Sequence, residues 1–328
     1  MTNLWKCLAS VIASLAITAC QDSPVAPSLR AIALSSTSSH DAAGLTEWAA
    51  PVNLGAAINT GSSEVQLGIA PNGKSLYVAS SRPGGFGDVD IWVSSKQPDG
   101  GWGPLVNVGT NVNSAALEAS PTLSIDGHYL YFGSRRAGGK GGLDCWRSHR
   151  DDPNDDFSWG PPENLTTNTA FDEADCLPVG NQNANGEFWF TSLNRPEGQG
   201  GYDIYRSDIG PDGSFGPATP VTELNTPGRD TRFTITGDGM TIYFTSNRAG
   251  GLGGIDIWTS SRRTTHSPFC TPVNLGSIVN SAGDDRSPSI TTDGKELYFT
   301  STRPGGYGSD DVYMAERVGG PSHDACGP

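Results

Sequence analysis

Basic residues are scarce in this chain and nowhere cluster. Lys and Arg number 21 against 35 Asp and Glu, giving a formal net charge of −14 over 328 residues. With no Lys/Arg-dense stretch there is no phosphate-binding stripe, which excludes nucleic acid as a partner. The five histidines (His40, His128, His149, His266 and His323) are scattered, and there is no G-x-S-x-G elbow, H-E-x-x-H pair or P-loop. The familiar signatures of serine hydrolases, zinc proteases and nucleotide triphosphatases are therefore missing. Beyond the first 20 residues no apolar run approaches a membrane span. Glycine (43) and proline (23) are plentiful, as expected of many short strands joined by tight turns.

The first residues form a targeting segment: Lys6 supplies a weak positive region and Leu8 to Ile17 a short apolar one. Ile17-Thr18-Ala19-Cys20 resembles the bacterial lipobox, which implies a signal peptide over 1–19 and Cys20 as the lipidated N-terminus. Gln21, in place of Asp, fits sorting to the outer membrane. Lipid anchorage in the bacterial envelope is therefore expected, with no other membrane contact. Residues 20–45, rich in Ser, Pro and Ala, read as a flexible tether.

The stretch from Ser289 to Tyr313 recurs at 69–92, 123–146, 180–205 and 235–258. Each copy holds a D-G or N-G turn, an aromatic strand, a Gly-rich loop and a strand opening at Asp90, Asp144, Asp203, Asp256 or Asp311. These aspartates lie 54, 59, 53 and 55 residues apart. A fourth strand follows Trp48, Trp102, Trp159, Phe215 and Phe269. Repeats of this length with four strands each predict an all-β fold, a five-bladed β-propeller of four-stranded blades over 46–318, followed by a tail over 319–328. The solitary first signal at Trp48 places the strand within 46–55 in the last blade, closing the ring.

The run T-D-G-K-E-L-Y-F-T-S-T-R-P-G-G and its siblings resemble the WD-like propeller repeat of the TolB type, found in bacterial envelope proteins. The resemblance implies the fold and the envelope setting. It does not extend to the six blades and separate α/β domain of TolB itself.

An acid is expected at the start of each innermost strand (Glu64, Glu118, Asp175, Asp230 and Asp285) and an arginine at the end of each second strand (Arg82, Arg136, Arg195, Arg248 and Arg303). With the third-strand aspartates these gather at one end of the blades. They read as braces within each blade, or as a ring of ligand sites at the channel mouth. Asn59, Asn113, Asn225 and Asn280 stand five residues before their acids, whereas blade three shows Ala170 there. The loop G-G-F-G-D-V-D (84–90) resembles the calcium repeats of secreted toxins with one residue too many. Glycines that let one strand cross to the next are the simpler account, with Ca²⁺ as the alternative. Blade three departs most, with an extended turn over 180–186 and an insertion at Pro196-Glu197-Gly198-Gln199. An off-axis site belongs there or in blade two.

Export favours disulfides, and strand placement pairs Cys145 with Cys176 and Cys270 with Cys326. The expected function is a monomeric, envelope-associated binding or scaffold module for an envelope protein or a cell-wall or extracellular glycan, without catalytic residues or cofactor. The alternative is a polysaccharide-acting enzyme using carboxylates at the channel mouth, against which stands an arginine beside each acid.

Overall fold

The computed structural model describes residues 48–180 and 186–319. Five antiparallel four-stranded sheets form a five-bladed propeller. The innermost strands are Glu64–Ile69, Glu118–Leu123, Glu173–Val179, Asp230–Ile235 and Asp285–Ile290. The outer strand of the last blade is Val52–Asn53, paired with Asp311–Glu316, and a bridge from Trp48 to Arg317 extends that closure. The signal peptide, the tether and residues 320–328 of the tail fall outside the described residues.

The second strands show why these segments choose β structure. Ser75–Ser80, Tyr129–Ser134, Glu187–Leu193, Thr241–Ser246 and Glu296–Ser301 are aromatic and β-branched, and nearly every residue in them is buried. Such strands are covered on both faces, so polar alternation is lost. The apolar core is accordingly divided into five clusters, each between two neighbouring blades. Tyr77, Ile91 and Val93 of blade one meet Leu130, Phe132 and Trp146 of blade two in one cluster. Tyr298 and Val312 of blade five meet Leu67, Leu76 and Trp92 of blade one in the cluster that closes the ring.

Polar clamps join the blades as well. The side chain of Asn113 accepts from the backbone N–H of Ile91 and donates to its carbonyl, both at 2.8 Å. Asn59, Asn225 and Asn280 do the same for Val312, Ile204 and Ile257. In blade three the clamp is Asn168, bonded in this way to Cys145, and not a residue at Ala170. Five residues beyond Asn168 is Glu173, so the expected register of blade three was two residues too late.

Candidate functional site

That shift reassigns the acids. Glu64, Glu118, Glu173, Asp230 and Asp285 are fully buried. Each lies 2.6–3.1 Å from Nη2 of the arginine of its own blade: Arg82, Arg136, Arg195, Arg248 or Arg303. Every one of these arginines also donates through Nε to a serine in the last two residues of its second strand, for example Arg303 to Ser301 at 2.8 Å. Nη2 donates to a carbonyl in the entering loop as well, such as that of Leu224. Burial pushes the Glu64 carboxyl above its usual range and the Arg82 guanidinium below its own. The pair stays charged because each partner is the other's counter-ion. These groups are closed braces with no acid turned toward a ligand.

The third-strand aspartates stand outside the braces. Asp311 accepts from the backbone N–H groups of Tyr307 and Gly308 and so ties its loop to the strand. Asp90, Asp144, Asp203 and Asp256 hold their loops alike. A Cβ on Gly306 would meet Asp311 Oδ2 at 1.7 Å, which explains the second glycine of the motif. The carboxylates thus face amide donors, whereas calcium needs clustered oxygens. Among the described residues no group of three or more His, Cys, Asp or Glu could hold a metal ion.

Asp175, expected as a brace, is released to the axis. It lies two residues beyond the start of its innermost strand, and its equivalents are Gln66, Ser120, Arg232 and Ser287. A β-bulge interrupts each innermost strand here. Ser120, Asp175, Arg232 and Ser287 adopt φ of 49° to 55°, a conformation costly for residues with side chains and concentrated at functional sites. Hydrogen bonds link the five blades in a closed circuit. The Ser120 N–H donates to Gln66 Oε1 (3.0 Å) and its hydroxyl to Asp175 Oδ1 (2.6 Å). Asp175 Oδ2 accepts from the hydroxyls of Thr191 (2.7 Å) and Thr231 (2.8 Å) and from the Arg232 N–H (2.8 Å). Arg232 Nη1 reaches Ser287 Oγ at 3.4 Å, and that hydroxyl donates to the Val65 carbonyl at 3.0 Å.

At the mouth of the channel, where the innermost strands begin, Tyr202, Arg229, Arg286 and Asp310 stand near this ring. Arg229 lies over the Tyr202 ring at 5.2 Å. Arg286 pairs with Asp284 (3.2 Å) and Asp310 (3.0 Å). Burial, reinforced by Asp172 and Asp175, raises the Tyr202 phenol, while Arg229 and Arg135 oppose the rise. The ring leaves a recess of about 20 Å³. At the opposite end of the innermost strands is a chamber of about 230 Å³ lined largely by apolar side chains, including Leu67, Leu123, Leu177 and Phe233.

Of the axial side chains, sequence reasoning had singled out Asp175 alone, as a brace or as one of a ring of ligand sites at the channel mouth. Gln66, Ser120, Arg232 and Ser287 were missed. The available signal was a position, fixed relative to each acid, at which the five copies disagree.

Cys145 and Cys176 form the expected disulfide, with Cα atoms 6.1 Å apart, joining blades two and three. Cys270 is disulfide-bonded too, but Cys326 lies outside the described residues, as does Cys20. The acidic connection Asp151–Asp156 of blade two is an anchor: buried Asp156 pairs with Arg150 at 2.8 Å and accepts from Ser75 and Tyr77 of blade one. Most of the extended turn at 180–186 is outside the described residues.

No family model matches the chain, and no curated protein matches its sequence. Solved structures do resemble it. An endo-arabinase from Bacteroides thetaiotaomicron is 13% identical with a TM-score of 0.55, over 84% of this chain and 98% of that one. An alpha-L-arabinofuranosidase from Lactobacillus brevis is 12% identical with a TM-score of 0.53, over 80% and 92%. A structure assigned to TolB from Agrobacterium tumefaciens is 18% identical over 80% and 87%, at a TM-score of 0.44, too low to argue from. Several other neighbours are family-43 glycoside hydrolases. At these identities the likeness shows the fold alone.

Proposed function

We propose that this chain is an exported propeller that recognises carbohydrate at the mouth of its central channel. The observation that carries this reading is the axial ring. In a chain whose braces, clamps and loop ties recur in every blade, Gln66, Ser120, Asp175, Arg232 and Ser287 occupy one structural position with four different residue types. Packing alone would favour the same solution five times. A ring of mixed donors and acceptors beside the Tyr202 phenol suits a ligand rich in hydroxyls. Phe86, Leu252 and Tyr307, exposed on equivalent loops of consecutive blades, offer apolar surface against which sugar rings could stack. The disulfide between Cys145 and Cys176 supports an extracytoplasmic setting, with an envelope or extracellular glycan as partner.

The second reading is hydrolysis of a polysaccharide, favoured by the arabinan- and arabinoside-acting enzymes among the fold neighbours. That chemistry uses two carboxylates flanking the scissile bond. Of the five axial positions only Asp175 supplies one, and both its oxygens already accept hydrogen bonds. Asp310 at the rim is engaged by Arg286. Recognition therefore fits the site better than cleavage. Incubating the protein with arabinans, xylans and acidic polysaccharides tests both readings. Retention of a glycan without release of reducing sugar, and weakened by Gln66→Ala, is the expected result. Sugar release that disappears in Asp175→Asn would establish the enzyme instead.

A further inference from the structure

Arg232 is a charged group of the axial ring that makes little use of its hydrogen-bonding capacity there. Its guanidinium has five N–H donors, and the one side-chain hydrogen bond it makes in the circuit is the long contact to Ser287. Among the described residues no carboxylate lies within ion-pair distance of it. Asp175 is close by, but its oxygens are taken by three hydroxyls and by the backbone N–H of Arg232 itself. Arg286 is committed to Asp284 and Asp310, and Arg229 stacks on Tyr202. The five brace arginines each have an acid. Arg232 is half-buried, so the donors it does not use within the circuit remain accessible to a ligand.

Burial, with Arg286 and Arg229 nearby, pulls the Arg232 pKa down to about 10, against the opposing pull of Asp175 and Asp310. It stays cationic at neutral pH. The strained φ of 49° at Arg232 holds the side chain at the axis.

We propose that Arg232 receives the carboxylate of an acidic sugar, making the ligand a uronate-containing glycan. A planar carboxylate matches the guanidinium fork. Asp175 and Asp310 limit the negative charge the site tolerates, so a monoanion is preferred over a doubly charged phosphate. A recess of about 20 Å³ admits a single oxygen atom and not a pyranose ring. The sugar ring therefore stays in the mouth, beside Tyr202, with one carboxylate oxygen entering the ring of side chains. The sugar part of this inference rests on the carbohydrate reading above; the anion part rests on Arg232.

Isothermal titration of the whole protein separates the two parts. The probes are a galacturonate oligomer, the same oligomer as its neutral methyl ester, and sodium acetate, each also tested on Arg232→Gln and Arg232→Lys. The acidic oligomer should bind roughly 10–100-fold more tightly than the ester, as expected for hydrogen bonds to a charged group. Arg232→Gln should bring the acid-to-ester ratio of affinities to about one, whatever it does to ester binding itself, and Arg232→Lys should restore part of that ratio. Thermal unfolding of Arg232→Gln at a temperature no lower than the parent's keeps a folding defect from mimicking the result. Equal binding of acid and ester, unchanged in Arg232→Gln, would overturn the proposal and leave the carbohydrate reading standing. Acetate binding as tightly as the oligomer, and only when Arg232 is present, would keep the anion site and remove the sugar. No binding of any anion would overturn the proposal outright.

Discussion

Glu173→Ala lowers the stability of the propeller by about 3–5 kcal/mol, because it strands the Arg195 guanidinium in a buried site without its counter-charge. Glu173 is fully buried, the Arg195 side chain is 6% exposed, and the two meet at 2.7 Å. For a domain of this size the loss is roughly 6–10 °C in the thermal midpoint. A double-mutant cycle makes the result specific. Glu173 and Arg195 should couple strongly, whereas Asp175 and Arg195, which share no hydrogen bond, should be additive within about 0.5 kcal/mol. Strong coupling of Arg195 to Asp175 would restore the register expected from sequence and remove Asp175 from the axis.

Replacing Cys145 and Cys176 together by alanine is expected to cost about 3–4 kcal/mol. The bridge closes a chain separation of 31 residues, and the entropy it removes from the unfolded chain sets that magnitude. Both residues are fully buried in the apolar cluster between blades two and three, beside Tyr131, Phe188 and Tyr205. Alanine leaves that packing largely in place but unlinks two blades. Denaturant unfolding under oxidising and reducing conditions checks this. The parent should lose at least a comparable amount in strong reductant, and the difference between the parent and the double variant should vanish there, because the bridge at Cys270 is broken in both.

Much of the architecture was legible because its cause repeats. The D-G turns, the aromatic second strands and the acid–arginine pairs occur in every copy, so the blade count, the ring closure at Trp48 and the blade-two to blade-three disulfide all follow from spacing. The register of blade three was not recovered. Glu173 and Asp175 are both acidic and two residues apart, and strand periodicity puts them on the same face. Only the five-residue spacing from Asn168, the same as from Asn59 to Glu64, distinguishes them. The axial ring was hidden for a different reason. Its residues share a position but no chemistry, and the β-bulges that aim them inward leave no alternation to read. Arg232 carries no sequence signal of its own, and only the fold places it at the axis.

The measurement that bears most directly on the account is a crystal structure of the protein with the oligosaccharide that binds it most tightly. The account predicts sugar in the mouth of the channel, hydrogen-bonded to the Gln66, Ser120, Asp175, Arg232 and Ser287 layer and lying beside Tyr202. Sugar bound on an outer blade edge or in the apolar chamber, with that layer untouched, would contradict it.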